Sequence, residues 1–450
     1  MQNARNLPGR GGAGPDQPVR VGLIGAGKFG TMFLAQARRI PGLHVLGVAD
    51  LSIDRAREAL ARAEWPPSQF AATDFDNALK SGGTHLTDDA ESLIGARGLD
   101  VLVEATGNPL AGIRYALNAI REGRHLVMVN VEADVLAGPA LAQRAESAGI
   151  VYSLAYGDQP ALICELVDWA RTNGFGVVCA GKGTKHRPVY HTSTPDTVWD
   201  HYGIDAETAA RGGMNPRMFN SFLDGTKSAI EMAAVSNATG LEPQPEGLNF
   251  PPCGIDRLPD VCRPRDEGGR LSHKGTVEVV SCVHPDGAAV EQHLRWGVYV
   301  TIEGSGDYIR RCFTEYGLPT DASGRYTAVY RPYHLVGMEL ATSVMRAGIH
   351  GEATGAPNAF VADVAATAKR DLAAGETLDG EGGYRVYGKL MPAASAVRDG
   401  ILPVGLAHQI RLKRRIAAGR QIHRTDVELD EDSDILRLRK EMERTLSDAA

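Results

Sequence analysis

Residues 19–30 read Val19-Arg20-Val21-Gly22-Leu23-Ile24-Gly25-Ala26-Gly27-Lys28-Phe29-Gly30, and this stretch decides the fold of the first part of the chain. An apolar strand leads into the pattern G-x-G-x-x-G, and a helix-like run follows. Gly25 permits a tight turn, Gly27 lets the backbone approach a pyrophosphate, and Gly30 allows close packing of the helix on the strand. Because the first N–H groups of such a helix favour negative charge, the stretch predicts a dinucleotide site, with Lys28 and Phe29 beside the glycines.

An acidic residue follows at the distance that this kind of site requires. A second apolar strand, residues 44–49, ends at Asp50, twenty residues beyond Gly30. A carboxylate there reaches the ribose hydroxyls of an adenosine and repels a 2′-phosphate. NAD is therefore favoured over NADP, although Ser52 and Arg55 lie close enough to soften the preference. A structural glycine turn in another α/β protein is the plain alternative.

The composition predicts a globular protein with more than one domain. The 450 residues exceed one ordinary core, and the 43% hydrophobic and 23% charged content is typical of soluble proteins. A formal net charge of −7 argues against a nucleic-acid partner. The sequence has no apolar run of about 18 residues, so no membrane span is predicted. Residues 1–18 lack the apolar segment of a signal peptide and are expected to form a disordered tail. A cytoplasmic homo-oligomer is the expected state.

The six cysteines are scattered and contain no C-x-x-C pair. They are too few for a disulfide framework in a chain of this length, so reduced and mostly buried thiols are expected. Cys179 and Cys253 are the candidates for a catalytic cysteine, which is the less favoured alternative.

Three ordered parts are expected after the tail. Residues 19–153 alternate short strands with helices and predict a Rossmann-type parallel sheet, which places the chain in the α/β class. Residues 154–355 resemble an α+β substrate domain, in which the runs 274–283 and 293–302 predict a hairpin or meander. Residues 356–450 predict a small all-β unit followed by a charged helix.

An internal repeat supports the last of these parts. Residues 368–378 match residues 412–422 at an offset of 44, with Lys, Arg, Ala, Ala and Gly identical. Each copy has the pattern of a short strand, a glycine turn and another short strand. The two copies are therefore expected to clip together between about residues 360 and 426.

Two turns at strand ends are predicted to flank a bound nicotinamide. Ala105, Thr106 and Gly107 follow the strand at residues 99–104, and Asn130 follows the strand at residues 125–129. In open parallel sheets the ligand lies beyond these carboxyl ends. Ordinary turn chemistry also explains such residue types.

These motifs, with the blocks at residues 153–160, 180–185 and 222–228, resemble homoserine-dehydrogenase-like oxidoreductases that carry a C-terminal SAF domain. The resemblance covers almost everything after Val19, and the repeat looks like the two β-clip halves of a SAF domain. It implies an NAD(P)-dependent enzyme that acts on CH–OH groups. One branch of the group, the deoxyxylulose-phosphate reductoisomerase-like enzymes, implies a sugar-phosphate reductoisomerase that uses NADPH. Asp50 does not suit NADPH, and the Thr-Ala-Asn-Lys signature of homoserine dehydrogenases keeps only Asn130 here and lacks the lysine.

Lys227 is the first candidate for the group that gives or takes a proton when a hydride moves between nicotinamide and substrate. It lies near the start of an apolar helix, where the helix dipole and burial lower an ammonium pKa. The resemblance also implies a lysine on the corresponding helix. Asp224, one turn earlier, is expected to orient Lys227 or to bind a substrate hydroxyl, and Glu132 is a candidate base. Helix capping and a solvated lysine are the plain alternatives.

A second group of residues is predicted to hold the substrate. Lys182, Thr184 and Lys185 follow a strand in a glycine-containing loop and suit a carboxylate or a phosphate. His334 is expected at the start of a helix, as a proton donor to a substrate oxygen or as a hydrogen-bonded structural histidine. No histidine and carboxylate spacing predicts a metal site, and a divalent cation is implied only by the reductoisomerase alternative.

The predicted function is hydride transfer between nicotinamide and a hydroxyl or carbonyl of a small anionic substrate. The first alternative is the sugar-phosphate reductoisomerase. The second is a non-catalytic protein that senses the dinucleotide.

Overall fold

The computed structural model describes residues 17–211, 214–430 and 433–448. The predicted tail at residues 1–18 lies outside them except for its last two residues. The strands of the described residues are β1 (Val19–Ile24), β2 (Leu43–Ala49), β3 (His85–Thr87), β4 (Val101–Glu104), β5 (His125–Met128), β6 (Tyr152–Leu154), β7 (Gly176–Thr184), β8 (Thr276–Ser281), β9 (Val298–Glu303), β10 (Tyr326–Arg331), β11 (Ala362–Ala368), β12 (Thr377–Asp379), β13 (Val386–Pro392) and β14 (His408–Arg411).

The α-helices of the same residues are α1 (Lys28–Ala37), α2 (Ile53–Arg62), α3 (Phe75–Ser81), α4 (Ala90–Ile94), α5 (Pro109–Arg121), α6 (Val131–Ser147), α7 (Gln159–Thr172), α8 (Val198–Tyr202), α9 (Ala206–Arg211), α10 (Pro216–Leu223), α11 (Thr226–Thr239), α12 (Leu258–Val261), α13 (Asp307–Glu315), α14 (Ala341–Met345), α15 (Ala393–Arg398) and α16 (Asp434–Asp448). Short 3-10 turns occupy Pro67–Phe70, Pro188–Thr192, Ile255–Arg257, Arg265–Glu267, Val404–Leu406 and Arg424–Asp426, and Arg346–His350 is a π-helix. No helix in the described part of the chain is long and apolar enough to cross a membrane.

The described residues form two compact units. The first comprises residues up to Leu162 together with Leu335–Asn358, and the second comprises Ile163–His334 together with the residues from Ala359 onward. The segment Leu335–Asn358 packs with the first unit because its apolar side chains, among them Leu340 and Val344, are buried in the core around β1. The predicted division into three domains stays a prediction.

The first unit is built on a parallel sheet with the strand order β3-β2-β1-β4-β5-β6. Val21 and Leu23 of β1 and Val103 of β4 are completely buried, as expected of strands that are covered on both faces. The order of the strands reverses beside β1, and this reversal is where a doubly wound sheet binds its ligand. The predicted Rossmann-type α/β fold is confirmed.

Helix α6 of this unit carries a carboxyl group that is completely buried. The Asp134 Oδ1 atom accepts a hydrogen bond of 2.8 Å from the Tyr152 hydroxyl, and Oδ2 has no hydrogen-bond partner among the described residues. Gly138 leaves room for this carboxyl, because a Cβ atom at Gly138 would lie 2.5 Å from Oδ1. Burial raises the pKa of Asp134 to about 7.

Asp134 should make the folded protein less stable as the pH rises. A raised pKa in the folded state means that its stabilisation is complete below the unfolded value of 3.8 and is lost as the pH rises through about 7. Between these two pH values, the contribution of Asp134 should make the free energy of unfolding fall with rising pH. We expect the slope of the wild type to be steeper than that of Asp134→Asn by up to about 1.4 kcal/mol per pH unit. Urea unfolding at a series of pH values measures the difference, and parallel curves would contradict the assignment.

The second unit contains a mixed sheet with the order β10-β9-β7-β8. Strand β7 pairs in parallel with β8 and antiparallel with β9, so the hairpin predicted from residues 274–283 and 293–302 is wrong. Glycines in β7 permit close approach of the backbone of β8 and of the loop before β9. A Cβ atom at Gly181 would lie 1.8 Å from the Glu278 carbonyl oxygen, and one at Gly183 would lie 1.9 Å from that of Leu294.

The two copies of the repeat pair with each other. Leu372 and Ile416 occupy equivalent positions and exchange N–H···O bonds of 2.8 and 3.0 Å. The N–H of Gly375 donates to the carbonyl of Leu412, and the equivalent N–H of Gly419 donates to that of Ala368, both at 2.8 Å. The copies are therefore interlocked about a local two-fold axis. Their identity as a SAF domain stays a prediction.

Candidate functional site

The loop after β1 ends in a helix start that the chain itself does not cap. Gly27 is the N-cap of α1, with no side-chain hydrogen bond and no acidic residue in the first turn. The first N–H groups of a helix have no partner within the helix, and their dipole favours an anion. The start of α1 therefore has the character of a phosphate site.

The three glycines of this loop differ in what surrounds them. Gly25 has a φ of +100°, and a Cβ atom there would lie 2.5 Å from the Ala105 carbonyl oxygen. A Cβ atom at Gly30 would lie 2.3 Å from the carbonyl oxygen of Gly25, whereas at Gly27 no atom lies within 4 Å. Gly25 and Gly30 are thus required by the fold itself. Gly27 instead leaves open space where a pyrophosphate can approach.

Alanine at two of these positions should separate folding from binding. Gly27→Ala is expected to keep the thermal unfolding temperature of the wild type and to weaken dinucleotide binding by about 10- to 100-fold, because the methyl group occupies the ligand's space. Gly25→Ala is expected to destabilise the fold by about 1–3 kcal/mol through backbone strain. Calorimetric unfolding and NADH fluorescence titration measure the two effects. Wild-type affinity in Gly27→Ala would contradict a pyrophosphate at this loop.

Asp50 is held at the end of β2 by several donors. Its Oδ2 accepts the Ala26 N–H at 2.9 Å, and its Oδ1 accepts the Ser52 N–H at 3.1 Å and the Arg55 Nε at 2.7 Å. Asp50 itself is only 9% exposed, whereas the Arg55 side chain is 52% exposed. A cavity of about 160 Å³ lies here, lined by Ile24, Gly25, Gly27, Ala49, Asp50, Leu51, Arg55, Asp88, Ala90, Ala105, Thr106 and Tyr115.

The two predicted nicotinamide turns lie side by side at the carboxyl edge of the sheet. Asn130 follows β5, is buried, and caps α6 by accepting the Ala133 N–H at 3.2 Å. Its Nδ2 donates to the Asn108 carbonyl at 2.9 Å and thus ties the second turn to the first. Glu132 lies in the first turn of α6 and is partly exposed. Gly107 is in the left-handed region at φ +69°.

Glu104 is a residue of this edge that the sequence predicted only as part of a strand. It is completely buried at the end of β4, and it accepts hydrogen bonds from the N–H of Thr106, at 3.0 Å, and from the Thr106 hydroxyl. Burial raises the pKa of Glu104 to about 7, and the bonds from Thr106 oppose that rise. An acidic residue that ends an apolar strand is the signal that could have identified it.

In the second unit, Lys182 lies within β7 and not in a loop. The strand continues to Thr184 because Gly181 and Gly183 pair closely with its neighbours. The buried Lys182 ammonium forms an ion pair with Glu231 of α11. Lys185 donates to the His201 carbonyl at 2.6 Å, and burial lowers its pKa. Both lysines therefore bond to other groups of the protein. Their predicted role in binding an anionic substrate stays a prediction.

Lys227 is the second residue of α11. Thirteen residues of this helix are buried, and Lys227 is the exception. The N-cap is Gly225, at φ +90°, which has no side chain with which to cap the helix. Lys227 is thus partly buried at the positive end of the helix, as the sequence predicts.

The expectation that Asp224 lies one helical turn before Lys227 is wrong. Asp224 is the C-cap of α10, and Gly225 separates α10 from α11, the helix of Lys227. The Asp224 side chain is completely buried. It accepts the Thr226 N–H at 2.9 Å and forms an ion pair of 2.7 Å with Lys369. Burial raises the pKa of Asp224, and Lys369 opposes the rise.

His334 lies in a loop and not at the start of a helix. The next helix, α14, begins at Ala341, after a turn in which Gly337 has a φ of +75°. The His334 Nδ1 atom is 2.7 Å from the Trp296 carbonyl oxygen. Its predicted role as a proton donor stays a prediction.

The two candidate cysteines, Cys179 and Cys253, lie in surroundings that keep their thiols protonated. All six are free, and Cys179 and Cys262 approach the buried Tyr299 hydroxyl at 3.5 and 3.3 Å. Burial raises the pKa of Cys179 and that of Cys253, which disfavours a thiolate nucleophile. In the described residues, no three His, Cys, Asp or Glu side chains are grouped so as to hold a metal ion.

Comparison with known proteins adds an activity class. Residues 157–340, about two fifths of the chain, match the family model described as the catalytic domain of oxidoreductase DRL. No curated protein matches the chain.

Similar solved structures include a probable dehydrogenase from Thermotoga maritima, at 13% identity and a TM-score of 0.37 over 74% of this chain and 90% of that chain. A putative oxidoreductase from Klebsiella pneumoniae is 16% identical, with a TM-score of 0.38 over 76% of this chain and 88% of that chain. The myo-inositol dehydrogenase from Lactobacillus casei, in complex with NAD(H) and myo-inositol, is 17% identical, with a TM-score of 0.28 over 40% and 50%. These scores are too low for the three structures to carry an argument about this chain. The family match, together with the sheet order and glycine loop, supports an NAD(P)-dependent oxidoreductase.

Proposed function

We propose that the protein transfers a hydride between a nicotinamide dinucleotide and a hydroxyl or carbonyl group of a small anionic substrate. The observation that carries the proposal is the uncapped start of α1, which opens at the carboxyl edge of the parallel sheet between the glycine loop and Asp50. The match of residues 157–340 to an oxidoreductase catalytic domain supports the same activity.

The residues of the first unit fit the parts of such a coenzyme. The backbone at Gly25, Gly27 and Gly30 would hold the pyrophosphate, and Asp50 would hold the adenosine ribose. Ala105, Thr106, Gly107 and Asn130 line the strand ends beyond which the nicotinamide would lie. When bound, the nicotinamide gives or takes the hydride.

The protein residue proposed to move the proton is Lys227. It is the partly exposed member of a buried helix, and its amine is proposed to take a proton from a substrate hydroxyl. The charge of Glu231, one turn further along the same helix, is balanced by Lys182. Glu132 of the first unit is the second candidate for a base.

Asp50 is expected to make NADH the tighter ligand. Its carboxylate repels a 2′-phosphate, and its ion pair with Arg55 at 2.6 Å competes for the cation that a 2′-phosphate would need. In the wild type the dissociation constant of NADPH should exceed that of NADH. Asp50→Asn should lower the ratio of the two constants by about tenfold, since one like-charge contact is lost. Fluorescence titration measures both constants. An unchanged ratio in this variant would show that Asp50 does not read the ribose.

Turnover assays test the proposed reaction. The wild type is assayed with NAD⁺ or NADP⁺ and a panel of hydroxy acids and sugar phosphates. Deoxyxylulose phosphate with NADPH and Mg²⁺ tests the reductoisomerase alternative. If NADPH is oxidised in that assay and no coenzyme is reduced in the others, the reductoisomerase would replace the simple dehydrogenase as the proposed activity. Coenzyme binding without turnover on any substrate would favour the sensor, and no binding at millimolar coenzyme would overturn the proposal.

A further inference from the structure

Two aromatic rings that carry polar atoms stack near the start of α11. His191 lies in the 3-10 turn Pro188–Thr192 after β7, and Tyr387 lies in β13. Their ring centroids are 4.7 Å apart, with an angle of 28° between the planes. Both side chains are partly exposed.

The tautomer of His191 follows from its neighbour. The Nδ1 atom is 2.8 Å from the Asp224 carbonyl oxygen. Because a carbonyl oxygen only accepts, Nδ1 carries the hydrogen, and the Nε2 atom of the neutral ring presents a lone pair. Burial lowers the pKa of His191. The backbone and carboxylate of Asp224 raise it, whereas the charges of Lys369 and Lys389 lower it. The ring is therefore a hydrogen-bond acceptor at neutral pH.

Lys389 lies on the same side of β13 as Tyr387, because residues two apart along a strand share a face. Gly388, between them, donates its N–H to the Thr226 hydroxyl at 2.8 Å and thus attaches this strand to the first residue of α11. Gly247 lets its own backbone approach this strand, since a Cβ atom there would lie 2.6 Å from the Leu390 carbonyl oxygen and in ordinary contact, at 3.5 Å, with Lys389 Cε.

These three side chains have polar atoms that the protein leaves without partners. Among the residues that the structure describes, the His191 Nε2 atom, the Tyr387 hydroxyl and the Lys389 ammonium group make no hydrogen bond or ion pair. By contrast, Lys182, Lys185 and Lys369 are all bonded within the protein. His186 packs its ring 4.7 Å from that of His191 and keeps its buried Nδ1 without a hydrogen bond in the described chain.

We propose that Lys389, Tyr387 and His191 form the part of the substrate site that recognises a hydroxylated oxyanion, such as a sugar phosphate or a hydroxy acid. Lys389 and the Tyr387 hydroxyl donate hydrogen bonds to the oxyanion. The His191 Nε2 atom accepts the hydrogen of a substrate hydroxyl. This inference rests on the proposed function, and it gives the C-terminal β region a direct part in substrate binding, because Tyr387 and Lys389 belong to it.

Titration calorimetry of the full chain at pH 7 tests the proposal with three probes: glycerol 3-phosphate, glycerate and inorganic phosphate. Lys389→Met is expected to weaken the binding of every probe that the wild type binds by about 10- to 100-fold, because a charge-assisted bond is lost. His191→Asn keeps a donor for the Asp224 carbonyl and removes Nε2. This variant should weaken the binding of glycerol 3-phosphate by about tenfold and leave the binding of inorganic phosphate unchanged. Preference for glycerol 3-phosphate or for glycerate distinguishes a phosphate from a carboxylate substrate.

Lys413→Met is the matched control, because Lys413 is an exposed lysine of the same C-terminal region. Lys389→Arg retains the charge and should restore binding if Lys389→Met folds poorly. Any of three results would overturn the proposal. The first is that Lys389→Met binds the probes with wild-type affinity. The second is that His191→Asn loses the same affinity for glycerol 3-phosphate as for inorganic phosphate, and the third is that the wild type binds no probe. NADH titration of the same proteins is a separate readout. Probe binding without NADH binding would support this oxyanion site while refuting the proposed dehydrogenase.

Discussion

Lys227→Ala is expected to lower kcat by about 10²- to 10⁴-fold, the usual contribution of a positioned acid–base group. The affinity for NADH should stay within about twofold, because the proposed coenzyme site lies in the first unit. A group that acts only in the transition state does not change the binding of coenzyme. Lys227 is the second residue of a helix whose other residues are buried, so its loss removes a partly exposed side chain without opening the core. Steady-state kinetics on the substrate that the turnover panel identifies, with NADH titration, measures both effects.

Lys227→Arg distinguishes proton transfer from simple charge. Arginine keeps the positive charge but stays protonated throughout the accessible pH range. If Lys227 transfers a proton, Lys227→Arg should remain as slow as Lys227→Ala and should lack the alkaline dependence of kcat that we expect of the wild type. Activity close to the wild type in either variant would remove Lys227 from the reaction.

Lys369→Met is expected to destabilise the protein by about 3–5 kcal/mol, the usual cost of leaving a buried charge without its partner. The Lys369 side chain is 2% exposed and that of Asp224 is fully enclosed. Besides the ion pair, the Lys369 ammonium donates to the carbonyl oxygens of Ser193 and Gly383 at 2.7 and 2.8 Å. Its removal therefore leaves the buried Asp224 carboxylate without its counter-charge and takes a donor from two carbonyl groups. Urea unfolding at pH 7 measures the loss.

Two controls make this stability prediction specific. Lys369→Met combined with Asp224→Asn should recover a large share of the loss, because the remaining buried group is then neutral. Arg415→Ala removes an exposed pair with Asp371 and should cost less than about 1 kcal/mol. Equal effects of Lys369→Met and Arg415→Ala would contradict the view that burial sets the strength of the Lys369–Asp224 pair.

The first unit follows from local sequence signals, and for that reason it could be predicted. The glycine loop, the acidic residue after β2 and the alternation of strands and helices each lie within a few tens of residues, and together they specify the parallel sheet. The repeat could likewise be recognised, because equal positions of the two copies pair with each other, as Leu372 and Ile416 do.

The second unit depends on contacts between distant residues, and these left no pattern in the sequence. The packing of β7 depends on close backbone approach, of Gly181 to β8 and of Gly183 to the loop before β9. Lys182 has the sequence surroundings of a loop lysine, and only the tertiary fold supplies Glu231 as its partner. Asp224 similarly finds Lys369 far along the chain. Tyr387 and Lys389 lie on a strand about 200 residues after His191, and only the tertiary fold brings Tyr387 against that ring.

The interlocked repeat makes the C-terminal region indivisible. Each copy supplies the acceptors for the other copy's glycine N–H groups. One copy alone would therefore expose unpaired backbone N–H and C=O groups and would be prone to self-association. The arrangement is that of a symmetric pair of subunits joined into one polypeptide. A proteolytic cut in the segment between the copies would accordingly leave two fragments that remain bound to each other.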